Sequence, residues 1–136
     1  MTETTLEYAV AAFTDMHDSY IADWNEAMIS GDTSKLERMG VNYYVTFFGS
    51  AKDKPVFYSK DEAISGMKLS VEQLLGAQKK FENRVIRLRD NKNAVVFFEL
   101  VIEKDGQALA RLFTTEYWER VDNQWLLARE TEQPIS

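Results

Sequence analysis

The chain has 136 residues, 45% of them hydrophobic and 12% aromatic, with six glycines, two prolines and no cysteine. That is the size and composition of one domain around a single core, residues 1–136, and the missing thiols exclude disulfides, cysteine nucleophiles and thiolate metal sites. A formal charge of −6 argues against a nucleic-acid partner, and no run of about 18 apolar residues marks a membrane span. The acidic start, Glu3 and Glu7, lacks the basic flank of an export signal. With the absent cysteines, this leads to an expected cytoplasmic location.

Leu6, Val10, Phe13, His17, Tyr20, Trp24 and Ala27 follow one another at gaps of four and three. This spacing predicts one long amphipathic helix over residues 6–28 whose apolar stripe needs a large partner surface. Thr4 with Glu7 reads as a capping box at its start, and Gly31 is placed to stop it in a left-handed turn. Asp32 is expected to cap a short second helix over 33–39 that ends at Gly40. Residues 41–48 are rich in β-branched and aromatic types, a strand signal, and 49–55 form a polar loop. A short strand at 56–58 precedes a second capping box, Ser59 with Glu62. The helix it opens carries Ala63, Ile64, Met67, Val71, Leu74 and Leu75 on one side, and Gly76 closes it.

Four long strands are predicted beyond Gly76, over 81–90, 94–104, 108–121 and 124–131. They are separated by Asn91-Lys92-Asn93, Asp105-Gly106 and Asp122-Asn123. Asp-Gly between apolar runs is a strong hairpin signal, because both positions tolerate positive φ. Helices first and a meander afterwards predict an α+β fold, with a cone-shaped, curved antiparallel sheet wrapped around the long N-terminal helix. A cavity belongs where the helix stripe leaves the concave side unfilled. Lys79-Lys80 and Arg84, Arg87 and Arg89, the only basic clusters, read as solvated charge.

In element order the chain resembles the nuclear transport factor 2-like superfamily, which includes SnoaL-like cyclases, ketosteroid isomerases and the calcium/calmodulin-dependent kinase association domain. Two local patterns carry the resemblance. Trp24 to Asp32 with Leu36 beyond is similar to the family's aromatic, Gly-Asp and leucine at the end of the first helix. Thr115 to Trp125, with Trp118, Asp122-Asn123 and Trp125, is similar to its paired-tryptophan hairpin. The resemblance implies the cystatin-like α+β barrel and a sheet-to-sheet homodimer. An isomerase of this kind would need an acidic base on the first strand and two donors forming an oxyanion hole. Registering Gly49 and Gly31-Asp32 on that family puts Thr46 at the base position and Trp24 and Tyr117 at the donors, and threonine takes up no proton near neutral pH.

The expected cavity has Tyr20, Trp24, Tyr44, Thr46 and Phe48 as walls and His17, Arg111 and Tyr117 as polar contacts, with a small organic molecule as ligand. If the protein is an enzyme, His17 is the candidate proton shuttle, with Glu116 or Glu130 as the carboxylate that orients it. Arg111 shares strand parity with Phe113, Thr115 and Tyr117, which are assigned to the concave side. The face carrying Val95, Phe97, Glu99, Val101 and Glu103, with Trp118 and Trp125 adding apolar area, is assigned to the subunit contact of a homodimer. No metal-ligand spacing, phosphate-binding loop or serine nucleophile motif is present, so no metal or cofactor is expected. A pure association module, its cavity filled by its own side chains, is the third reading.

Overall fold

The computed structural model describes residues 3–49 and 54–135. The element order is α1 (Glu3–Ser30), a 3-10 turn (Ser34–Leu36), β1 (Met39–Phe47), β2 (Val56–Ser59), α2 (Lys60–Gln73), β3 (Gln78–Asp90), β4 (Asn93–Lys104), β5 (Gln107–Val121) and β6 (Gln124–Pro134). Helix α1 already includes Thr4, so Thr4 is a helical residue and not the expected cap. At the other end Gly31, at φ +81, donates its N–H to the Ala27 carbonyl at 2.7 Å, a left-handed stop that spares any side chain the strain. The expected second helix is only the 3-10 turn. Met39 and Gly40 are already extended in β1, where Met39 buries its side chain. The capping box opening α2 is present as read.

The strands form one sheet in the order β2-β1-β6-β5-β4-β3. Strands β3 to β6 are the antiparallel meander, and β1 joins β6 in parallel. Of the three two-residue turns of the meander, Asp105-Gly106 and Asp122-Asn123 have all four residues at positive φ. The sheet curves without closing, and α1 lies in its hollow. Phe13, His17, Tyr20, Ala27 and Met28 from the helix stripe are buried against Val96, Phe98, Leu100, Ile102, Trp118 and Leu127 of the sheet.

Two bulges decide which residues face the helix. In β3, Asn83 at φ +56 interrupts the ladder, so Lys79 and Phe81 point inward before it and Arg84, Ile86 and Leu88 after it. In β6, Ala128 is skipped between Leu127, opposite Trp118, and Arg129, opposite Tyr117. The inward set therefore passes from Trp125 and Leu127 to Glu130 and Glu132. On β5 the inward set is Leu112, Thr114, Glu116 and Trp118. This reverses the parity expected for that strand, and it places Trp118, with Trp125 of β6 packed on Phe13, on the inner side and not on the outer face.

Candidate functional site

A cavity of about 370 Å³ opens between α1, α2 and the concave side of the sheet, within the usual range for small-molecule sites. Tyr20, Trp24, Tyr43, Phe47, Phe81 and Phe98 supply its aromatic walls. The polar groups come mainly from neighbouring strands. Glu116 stands opposite Glu130, and Thr114 opposite Glu132, across the β5-β6 ladder. Lys79 enters from β3. Carboxyls placed directly opposite each other repel, a cost an ordinary core does not carry.

Burial first, then Glu116 and Glu132, raise the Glu130 carboxyl well above the ordinary carboxylate range, although Tyr43 donates its O–H to Glu130 Oε1 at 2.8 Å. Glu132 is raised as well, by burial, with Lys79 opposing. Both carboxyls therefore release their protons at higher pH than exposed carboxylates do. Burial lowers the Lys79 ammonium to about 8, while Glu132, Glu130 and Glu116 pull it back up. Its Nζ sits 3.4 Å from the centroid of the Trp24 ring, a cation–π contact. Thr114 is buried on the cavity wall, and its hydroxyl is the one buried side-chain polar atom without a partner among the described residues.

Behind the cavity, His17 (0% exposed) and Glu116 (2% exposed) are 2.7 Å apart. Arg84 approaches the other ring nitrogen, Nδ1, at 3.0 Å and pairs with Asp18 at 2.7 Å. A guanidinium only donates, so Nδ1 accepts and Nε2 carries the hydrogen that Glu116 Oε1 receives. Trp118 Nε1 donates to the same oxygen at 2.9 Å. His17 therefore holds Glu116 in place, and the expected histidine-carboxylate contact forms with Glu116. Arg84 is part of this network and not solvated charge.

Of the expected site residues, Tyr20 and Trp24 line the cavity, whereas His17 is packed behind it. On β1 the lining residues are Met39, Tyr43, Val45 and Phe47, the last three one step from the expected Tyr44, Thr46 and Phe48. Thr46 is buried on the opposite face of that strand, and Phe48 lies beyond its end, partly exposed. Arg111 and Tyr117 point to the outer face of β5, so neither can touch a molecule in the cavity. Tyr44 and Tyr117 do meet, but around Arg129 in an outer groove of about 720 Å³, with the guanidinium 4.1 Å from the Tyr117 ring. Lys79 and Glu132 were missed: Lys79 precedes the predicted start of its strand, and Glu132 follows the predicted end of β6. The sequence signal was Trp118. Placing that ring inward places Glu116 and Thr114 inward with it.

No family profile and no curated protein sequence matches this chain. Solved structures do. A nuclear transport factor 2-like protein with a cystatin-like fold from Novosphingobium aromaticivorans is 13% identical over 99% of this chain and 91% of its own, with a TM-score of 0.70. The chain has the nuclear transport factor 2-like fold. A provisionally assigned dehydratase of the nuclear transport factor 2-like family from Streptomyces avermitilis is 12% identical, covering 93% of this chain and 98% of its own at a TM-score of 0.66. A provisionally assigned ketosteroid isomerase from Parabacteroides distasonis is 17% identical over 85% of each chain, at 0.59. At such identities the nuclear transport factor 2-like likeness concerns the backbone, and the chemistry rests on this chain's own residues. No helix among the described residues is long and apolar enough to cross a membrane.

Proposed function

We propose that the cavity binds a small neutral organic molecule and moves a proton on it, with Glu130 and Glu132 as the proton carrier. The observation that carries this reading is the convergence of Glu116, Glu130, Glu132 and Lys79 on an open, aromatic-walled space. An association module would fill that space and would not place facing carboxyls around it. The excess of carboxyls disfavours anionic ligands. A carbonyl compound fits the set: a protonated Glu130 can donate to the carbonyl oxygen while an ionised neighbour accepts the adjacent carbon's proton. Residence in the reducing cytoplasm suits a chain without cysteine and belongs to the same proposal.

The test is deuterium incorporation from heavy water into neutral cyclic ketones, cyclohexanone first, followed by NMR. Exchange above buffer that falls by about 10²-fold or more in the Glu130→Gln, Glu132→Gln double variant supports the reading. Equal exchange by both proteins contradicts it.

We also propose that the outer sheet face is the contact of a homodimer. Val85, Phe97 and Phe113 lie exposed there, Phe113 at 51%, with Phe97 directly across from Val85 in the ladder. Sedimentation equilibrium of a Phe97→Glu, Phe113→Glu variant checks it: a dimeric wild type and a monomeric variant are expected, and a monomeric wild type overturns it.

A further inference from the structure

We propose that Lys79 is a nucleophilic amine that forms an imine with a small aldehyde or ketone held in the cavity. The inference rests on the reading that the cavity admits a carbonyl compound. It adds a covalent step that nothing in that reading requires.

The geometry separates Lys79 from its neighbour Lys80. Lys80 is ion-paired to Glu103, an ordinary use of lysine on a sheet. Lys79 turns inward, and its backbone is clamped to α1: its N–H donates to Asn25 Oδ1 at 3.0 Å, and Asn25 Nδ2 donates to its carbonyl at 3.2 Å. The side chain lies over Trp24, and both residues line the cavity. Among the described residues Nζ makes neither a hydrogen bond nor an ion pair within 4.0 Å. A lysine kept only to balance the glutamates would close onto one of them. This amine is held apart from them on an apolar ring, beside carboxyls that can deliver and collect protons. Desolvation also favours its neutral, nucleophilic form.

The chemistry balances with the groups present. The Nζ lone pair forms a C–N bond to the carbonyl carbon, and the carbonyl π electrons move to oxygen, which takes the proton of Glu130. The nitrogen passes a proton to Glu132. Glu132 returns that proton to the resulting hydroxyl, which leaves as water and yields the protonated imine, with the Glu130 carboxylate as counter-ion and no change of oxidation state. The protonated imine then draws electrons from the adjacent C–H bond, whose proton an ionised carboxylate accepts.

The experiment incubates the full chain with cyclohexanone and sodium cyanoborohydride, which fixes an imine as a secondary amine, and locates the cyclohexyl group by peptide mass mapping. Nile red fluorescence, in parallel, reports whether a neutral molecule enters the cavity. Labelling at Lys79 on the order of tenfold or more faster than at Lys80 is expected near neutral pH, because more of the Lys79 amine is unprotonated. The rate should rise through about pH 8, set by a lysine facing Glu116, Glu130, Glu132, Tyr20, Tyr43 and Glu62. Lys79→Arg and Lys79→Met should each lose the adduct while Nile red still binds. Equal labelling of Lys79 and Lys80, or none, with Nile red bound overturns the imine and leaves the proton-transfer reading standing. No Nile red binding and no deuterium exchange overturn both.

Discussion

The hollow of the sheet has two ends made from the same kinds of residue and put to different uses. At the closed end Phe13, Tyr20 and Trp118 pack edge to face, and His17 stacks on Phe13. There the imidazole and the carboxylate are paired: His17 with Arg84 and Glu116, Glu116 also with Trp118. At the open end Trp24, Phe81 and Tyr43 stand around empty space, Thr114 keeps an unpartnered hydroxyl, and Lys79 rests on an aromatic ring. Polar groups in a filled core are paired because an unpaired one costs about 1–3 kcal/mol. A buried hydroxyl without a protein partner beside a cavity is placed to bond a molecule that enters it.

If the ends differ in this way, substitutions should act oppositely at them. Trp118→Ala should cost the most, about 3–5 kcal/mol in urea unfolding, since it opens a void and takes a donor from Glu116. His17→Leu should cost about 3 kcal/mol by the same measurement, as Glu116 and Arg84 lose a buried partner. A loss below about 1 kcal/mol would mean that the closed end is not the framework described.

Changes at the open end should appear in the pH dependence. The folded-state affinities of Glu130 and Glu132 for protons are raised, so the stability they contribute is complete below about 4.5 and is lost as pH rises through their folded values. Lys79 is lowered from 10.5 to about 8, so the folded state sheds its proton first, and stability is regained between those values. Replacing both glutamates by glutamine should remove the first trend, and Lys79→Met the second, in urea titrations across pH. The smallest effect is expected at the rim. Gly66, in the middle of α2, has nothing within 4 Å of an added Cβ, so Gly66→Ala should stabilise by about 1 kcal/mol in thermal unfolding.

How much of this was readable beforehand depended on the kind of signal. The helix stripe, the Ser59-Glu62 box and the Asp105-Gly106 turn are local chemistry, and all three stand where they were read. Strand facing was harder. On β5 one parity offers Phe113 and Tyr117, the other Leu112 and Trp118, and both faces of this sheet carry apolar residues. Hydrophobic alternation alone cannot choose between them. The bulges at Asn83 and Ala128 are single inserted residues without a distinct sequence mark, and they alone turn Arg84 and Glu130 inward. That His17 needs a carboxylate was legible, because a lone histidine on a buried stripe needs a partner; the choice of Glu116 over Glu130 was not, since it depends on the facing of β5.

The proposed proton transfer requires that the Glu130–Glu132 pair keep a proton at neutral pH. Infrared difference spectroscopy of the wild type against the Glu130→Gln, Glu132→Gln variant measures it directly, through the carbonyl stretch of an un-ionised carboxylic acid. That band should be present in the wild type at neutral pH and missing from the variant. Spectra in which the wild type shows only ionised carboxylate would contradict the account.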